Sequence, residues 1–443
     1  MRALPLLTRV FDVESREAPA ALAGMLMFFL LFAGYFMLRP VRETMGVAGG
    51  VDNLQWLFTG TFVATLAALP LFGWLASKVP RRRIQGWTYA FFVTNLLAFA
   101  AGLALQPDNL WTARAFFIWL SVFNMLTISL AWSVLADVLS GAQAKRLFAL
   151  MAGGASLGGL LGPVLGTLLV APIGHAGLLV LSAVLLAGSA GAGIALQRWR
   201  DRHPPAPDGS APDGEETRSK PLGGNPLAGA TAVFRSPYLL GIATFVILLA
   251  TANTFLYFEQ ARLVEATFPD PVRQTQVFGI IDIAVQSLAL LAQFFLTGRI
   301  AQHLGVGVLL VAVPLMIAAG FLWLAFSPVF AVLAVVMVVR RAGEYALVRP
   351  GREMLYTVVS PEQKYKAKNF IDTVAYRGGD AVSGWVKRGL DLIGEHPTLA
   401  MGIGAVLALA WAAVGGGLGR WQHRLETGRA GRLQPPTAAR TPS

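Results

Sequence analysis

The sequence predicts an all-α integral membrane protein with twelve transmembrane helices in two six-helix halves. Three observations carry that expectation. Of the 443 residues, 55% are hydrophobic and only 14% charged, whereas a soluble chain carries about a quarter charged residues. Apolar runs of about twenty residues, the length that crosses a bilayer as a helix, recur along the chain, and mean hydropathy is +0.59. A stretch rich in Pro, Gly and charge, 201–235, divides those runs six and six.

Taken in order, the spans are expected near 18–38, 54–76, 84–104, 110–136, 147–170 and 174–196. The second set lies near 237–258, 274–297, 306–326, 328–348, 369–391 and 398–418. Backbone amides cannot go unpaired in lipid, so each run must be helical. The alternating ten-residue pattern of a barrel is absent. Residues 1–17 mix Arg2, Arg9 and Arg16 with Asp12, Glu14 and Glu17, and no small-residue cleavage site follows span one. They read as a cytoplasmic tail, without a signal peptide. The expected organisation is a tail over 1–17, a half over 18–200, a flexible cytoplasmic linker over 201–235, a half over 236–420 and a cytoplasmic tail over 421–443.

Charge orients the chain. With both termini in the cytoplasm, inner segments hold 26 of the 36 Lys and Arg, and outer segments hold 7. This is the positive-inside bias of a bacterial inner-membrane protein. The net charge of +12 is read the same way, as loops facing anionic lipid, and no nucleic-acid partner is expected. The chain has no cysteine, which excludes disulfides and thiolate metal sites. The five histidines show no metal-ligand spacing, so no metal or cofactor is expected. Without a Walker loop, a hydrolytic triad or a loop long enough for a soluble catalytic domain, enzymatic work is not expected either.

Weak internal echoes support two parallel halves. At an offset of 220, Ser140, Gln143, Gly158 and Gly159 match Ser360, Gln363, Gly378 and Gly379. Gly73–Ala76 and Gly298–Ala301 each follow the second helix of a half. Spans three, six, nine and twelve contain no Asp, Glu, Lys or Arg. Spans four, eight, ten and eleven, with the outer ends of spans one and seven, hold the charges. A charge at mid-bilayer costs roughly 2.5–3.5 kcal/mol on insertion scales. The charge-free third helices should therefore face lipid, and the others should line a central polar cavity.

The intramembrane charges fall into sets. Arg340 and Glu344 are four apart and can pair on one helix face, which leaves Arg341 needing a carboxylate from another helix or an anionic ligand. Arg377 and Asp380, three apart, can pair as well. Asp372, Tyr376 and Asp380 form a stripe, and Asp282, Gln286 and Gln293 another. Three deep arginines against Asp282, Glu344 and Asp380 suit a self-neutralising network or a substrate site equally. At the outer mouth, Arg39, Arg42, Arg114 and Arg262 are expected to cluster, partly offset by Glu43, Glu259 and Glu265. Arginine forks recognise phosphate or carboxylate in two-point geometry, so Arg39 and Arg42 are candidate anion attractors. Snorkelling to headgroups is the competing reading. The basic run 364–368 is read chiefly as a contact for anionic lipids.

Two resemblances follow from these residues. Residues 73–83, GWLASKVPRRR, resemble the loop between helices two and three of the major facilitator superfamily, with Ser77 and Pro80 where an acidic residue and a glycine are usual. Gly158-x3-Gly162-Pro163-x2-Gly166 is similar to the fifth-helix motif of its proton-coupled exporters, although such glycines equally serve close helix packing. A narrower resemblance is to the nucleotide (ATP/ADP) transporter family. It rests on Tyr35–Glu43, Ala131–Asp137, Tyr345–Met354 and the run Lys364–Asp372. The chain departs from that family in span four, where Ser121 and Asn124 stand without an acidic residue. It departs again after Asp372, where Tyr376-Arg377-Gly-Gly-Asp380 replaces the expected lysine.

The resemblance implies a major facilitator fold and a phosphorylated substrate. The expected function is a monomeric secondary transporter of a small organic anion, nucleotides or phosphorylated metabolites first, working by alternating access and possible exchange. Substrate contacts are expected from Arg39, Arg42, Arg340, Arg341, Glu344 and Arg377. Coupling or gating is expected from Asp282, Asp380, Asp372 and Glu43. A proton-coupled exporter of an amphipathic compound is the alternative, with Asp282 as lead carboxylate. A non-transporting receptor or scaffold on the same fold is the third reading.

Overall fold

The computed structural model describes residues 16–203, 229–393 and 397–433. Most of the expected linker, and parts of both expected tails, lie outside the described residues. Among the described residues there are helices and connecting turns and no strand. The chain forms two compact units. One comprises Met1–Gly224 with Phe258–Ser287, and the other Asn225–Tyr257 with Leu288–Ser443.

The first unit opens with α1 (Ala18–Ala48), α2 (Leu54–Lys78), α3 (Arg81–Leu105), α4 (Leu110–Val138) and α5 (Gly141–Arg202). Their starts are legible locally. The Asn109 side chain accepts from the amides of Trp111 and Thr112 at 2.9 and 3.1 Å, which caps α4. Ser140 and Gln143 form a reciprocal capping box at the head of α5.

The 62 residues of α5 are too many for one crossing, and the chain turns at Gly174, where φ is +68°. Glycine tolerates that conformation without a Cβ clash. The contacts prove the reversal. Before the turn, Gly154, Gly158, Gly162 and Gly166 meet the carbonyls of Met25, Phe29, Ala33 and Met37 in rising order. After it, Ser182 donates to Gly34 O and Ser189 to Met27 O, in falling order. The two arms of α5 therefore run parallel and antiparallel to α1 and grip it from two sides.

The glycines in the first arm recur every four residues, so they share one helix face. A Cβ added at Gly154 or Gly158 would lie 2.1 or 2.4 Å from an α1 carbonyl oxygen. This small-residue stripe lets two backbones touch, and van der Waals packing and lipid entropy then hold them. The fifth-helix glycine motif thus has a direct packing role.

The second unit contains α6 (Ala230–Arg235), the beginning of α7 (Pro237–Thr267), and the end of the helix that starts as α8 (Pro271–Ala292). That helix continues through a π turn, Gln293–Thr297, into α9 (Gly298–His303). Next come α10 (Gly305–Phe326) and α11 (Phe330–Gly343), the latter running through the π turn Glu344–Val348 into α12 (Arg349–Leu355). Then α13 (Pro361–Phe370) runs through the π turn Ile371–Ala375 into α14 (Tyr376–Ile393), and α15 (Pro397–Leu433) closes the unit. Close approach recurs here. A Cβ on Gly419 would sit 2.5 Å from Gly307 Cα, and one on Gly404 would sit 2.6 Å from the Phe321 ring, so α10 and α15 pack antiparallel.

A π turn carries one extra residue and disturbs the regular hydrogen-bond ladder. Two of the three turns compensate each other. Gln293 Nε2 donates to Tyr345 O at 3.2 Å, and Thr297 Oγ1 lies 2.7 Å from Ala346 O. Side chains of one π turn thereby satisfy carbonyls of another, and the helix entered from α8 is locked to the helix entered from α11.

Among the described residues, nine helices are long and apolar enough to cross a membrane. One of them, Arg146–Arg202, doubles back at Gly174 and supplies two passes. The helical runs 330–355 and 361–393 are as long as a span but carry the charged residues discussed below. The expected count of twelve rests on those two crossing as well. Large apolar side chains are exposed on the expected lipid-facing helices, including Trp87 and Phe91 on α3, Val184 on the second arm of α5, Trp323 on α10 and Val406 on α15, and equally on α2, at Leu71 and Trp74.

Candidate functional site

Two separate charge clusters are present, one in each unit. In the first unit, the far half of α1 carries Arg39 and Arg42. Arg39 Nε lies 3.9 Å from Asp282 Oδ2 on α8, and Asp282 is only 2% exposed. Arg42 is held on all sides. Its Nε donates to Phe117 O at 3.2 Å, its guanidinium lies 3.8 Å from the Phe117 ring centre, and its NH1 meets Glu43 Oε1 at 3.0 Å.

The remaining arginines of the expected outer cluster are also engaged. Arg114 Nε donates to Gly49 O at 2.8 Å, and Arg262 pairs with Glu259. The structure therefore gives each of these arginines its own partner. Around them, Thr44 Oγ1 lies 2.7 Å from Thr275 Oγ1, which lies 2.9 Å from His175 Nε2. Gln286 Nε2 donates to Gly159 O at 3.4 Å. These bonds seat the start of α8 against α1 and α5.

In the second unit, α11 and α14 present the deep charges. Arg340 and Glu344 are both 7% exposed and approach to 3.4 Å, as their four-residue spacing requires. Arg341 is equally buried beside them. Arg340 also donates to Asn253 Oδ1, and Asn253 Nδ2 reaches Tyr376 Oη at 3.3 Å. On α14, Arg377 NH1 lies 3.6 Å from Asp380 Oδ2, and Asp380 Oδ1 accepts from Thr254 Oγ1 at 3.3 Å. The result is one connected polar network across α7, α11 and α14. Arg349, more than half exposed, adds a weaker contact to Glu344 at 3.7 Å.

Asp372 stands apart from that network. Its Oδ1 lies 3.1 Å from Arg352 on α12, while Lys368 pairs with Glu353 at 2.7 Å. These pairs join the end of α12 to α13 and its π turn. They draw two charges of the Tyr345–Met354 segment onto two of the Lys364–Asp372 segment. Between them, burial and then the charge on Asp372 push the Tyr356 phenol above its usual range. The extra residue of the π turn changes the register between Asp372 and Asp380, so the expected stripe through Tyr376 is divided between two sites.

Asn253 and Thr254 are part of the deep network that charge counting missed. Their signal was present in the sequence: Thr251, Asn253 and Thr254 are a polar group inside an otherwise apolar span. Ser383 Oγ donates to Thr251 Oγ1 at 2.9 Å and extends the same face.

The Major Facilitator Superfamily model matches residues 20–367. "ADP,ATP carrier protein 1" of Chlamydia muridarum (strain MoPn / Nigg) is 23% identical, covering 91% of this chain and 88% of the carrier. Solved structures agree in fold. A bacterial homologue of the human lysosomal transporter Spinster, inward-facing and unoccupied, aligns with TM-score 0.56 and 14% identity over 96% of this chain and all of that one. The human organic anion transporter MFSD10 aligns with TM-score 0.56 and 16% identity over 91% of this chain and all of that one. A POT family transporter in complex with a thioalcohol-conjugated peptide aligns with TM-score 0.59 and 9% identity, over 88% and 94%.

Proposed function

The chain belongs to the Major Facilitator Superfamily, and from that premise we propose that it exchanges small organic anions across a membrane by alternating access. One observation carries the reading. In the second unit three arginines meet in one polar network: Arg340 and Arg341 are each 7% exposed on α11, and Arg377 on α14 lies 3.6 Å from Asp380 Oδ2. Ionisable groups inside a membrane-spanning bundle mark substrate pathways, and grouped arginine forks suit a phosphate or carboxylate.

Asn253 and Tyr376 supply neutral hydrogen-bonding groups at the same place. The similarity to a carrier named for ADP and ATP is why nucleotides come first among phosphorylated cargoes. The protein would work as a monomer in a bacterial inner membrane, with its termini in the cytoplasm as the charge bias requires.

Counterflow in proteoliposomes tests this. With ATP inside and labelled ADP outside, uptake is expected only when internal nucleotide is present. R341Q and R377Q are each expected to lower it at least 10-fold when uptake is normalised to folded protein. Uptake driven by a pH gradient without internal nucleotide would replace exchange by proton coupling. No nucleotide uptake by folded protein would remove nucleotides as the cargo.

A further inference from the structure

A second basic site lies in the first unit, at the opposite end of α1 from Arg39 and Arg42. The start of α3 and the end of α5 enclose a cavity of about 340 Å³ lined by Arg82, Arg83, Ile194, Gln197 and Arg198. Three of its five lining residues are arginines, and none is acidic. Its level along the bundle is fixed by the neighbouring Trp199, whose Nε1 donates to Arg16 O at 3.1 Å. The cavity thus lies at the end where α1 begins.

Several features make this place electropositive. No Asp or Glu occurs between Asp52 and Asp108, so α2, α3 and their connection bring no carboxylate. The first turn of α3 has no acidic residue, and Pro80 offers no capping side chain. The positive end of the α3 dipole therefore adds to the guanidiniums. The nearby carboxylates border the cavity at Arg82 and Gln197, which it shares with an adjoining one. Asp201 pairs with Arg82, and Asp201 and Asp137 line an adjoining cavity of about 260 Å³ with Arg200. One cavity is mixed in charge, and its neighbour is cationic.

We propose that the Arg82–Arg83–Arg198 cavity binds a phosphate group, as an anionic-lipid headgroup or as free phosphate. Arg83 and Arg198 approach from different helices, so a phosphate between them meets two forks at once. Gln197 adds an amide to the same wall. Ile194, 40% exposed, forms the apolar floor. Farther along α3, Trp87 is 67% exposed, the placement of an interfacial aromatic anchor. A lipid would set its phosphate among the arginines and its glycerol over Ile194. A volume near the lower bound of small-molecule sites suits a headgroup as well as an ion. This site is independent of the transported anion, since none of its residues belongs to either deep cluster.

The test uses the full-length protein, delipidated in mild detergent and titrated with phosphatidylglycerol or phosphatidylcholine under native mass spectrometry. Inorganic phosphate is titrated in parallel against thermal unfolding. Wild type is expected to retain phosphatidylglycerol over phosphatidylcholine. R83Q/R198Q is expected to bind phosphatidylglycerol about 30-fold more weakly, the effect of two interfacial charges. R420Q, a charge loss elsewhere, should not change it. I194W keeps every charge and fills the cavity, so it should also lose retention, which guards against misfolding of the double variant. If phosphate protects wild type but not R83Q/R198Q, and no lipid is retained, free phosphate is the ligand. Equal binding of both lipids, or unchanged phosphatidylglycerol binding in R83Q/R198Q and I194W, would overturn the proposal.

Discussion

Arg340 is the side chain on which most of the second unit's polar network converges. It meets Glu344 from its own helix and Asn253 from α7. Removing one member of such a buried pair leaves the other charged and uncompensated, at a cost of roughly 3–5 kcal/mol. R340Q and E344Q are each expected to lower the thermal midpoint markedly in detergent. R340Q/E344Q should be less destabilised than the sum of the two, because it removes both charges. A double-mutant cycle showing additivity would mean that the pair is not coupled. At this scale, contacts set by helical spacing were legible in the sequence. Arg340–Glu344 and Arg377–Asp380 follow from offsets of four and three. The Arg39–Asp282 approach did not, because it joins positions 243 residues apart. No single-chain pattern specifies which helices become neighbours.

The elements are positioned by backbone proximity more than by side-chain bulk. Along the first arm of α5, Gly154 touches a carbonyl of α1, while Gly153 has nothing within 4 Å of its would-be Cβ. G154A is expected to lose about 1–3 kcal/mol through overpacking. G153A should be neutral or slightly stabilising, as alanine is the better helix former. Thermal unfolding of the two variants side by side distinguishes them. A different contact is tested by T297V, which strips the hydroxyl from Ala346 O and should cost about 1–3 kcal/mol if that carbonyl stays dry. Faster amide exchange over 344–348 is its expected signature. The helices and their approximate limits could be read from apolar runs, and the glycine stripe from its four-residue repeat. The π turns could not, because an inserted residue changes hydrogen-bond register without changing composition. That is why the stripe expected through Asp372, Tyr376 and Asp380 splits between two sites.

For the whole molecule, class and fold family were accessible from composition, charge bias and a few motifs, whereas cargo was not. Twenty apolar residues demand a helix in lipid, but an arginine in a network looks the same whether it waits for a ligand or only for a neighbour. The absence of cysteine makes the topology directly testable. Single cysteines at Ser77, in the last turn of α2, and at Ser327, between α10 and α11, should label from opposite faces. Ser77 is expected to be reached only after the membrane is permeabilised. Labelling of Ser77 but not of Ser327 in intact cells would reverse the orientation proposed from the 26 to 7 distribution of Lys and Arg.

The grip of α5 on α1 has a consequence for how the protein is made. The chain is synthesised from its first helix onward, yet the two arms that enclose α1 end only at Arg202. Through the synthesis of three intervening helices, α1 must wait in the lipid or at the insertion machinery, with the carbonyls of Met25, Phe29 and Ala33 still lacking the backbone that will cover them. The vulnerable moment of this protein is therefore its birth. Bulk introduced at Gly154 or Gly158 should appear first as nascent chains cleared by membrane proteases, before any mature transporter exists to be slow.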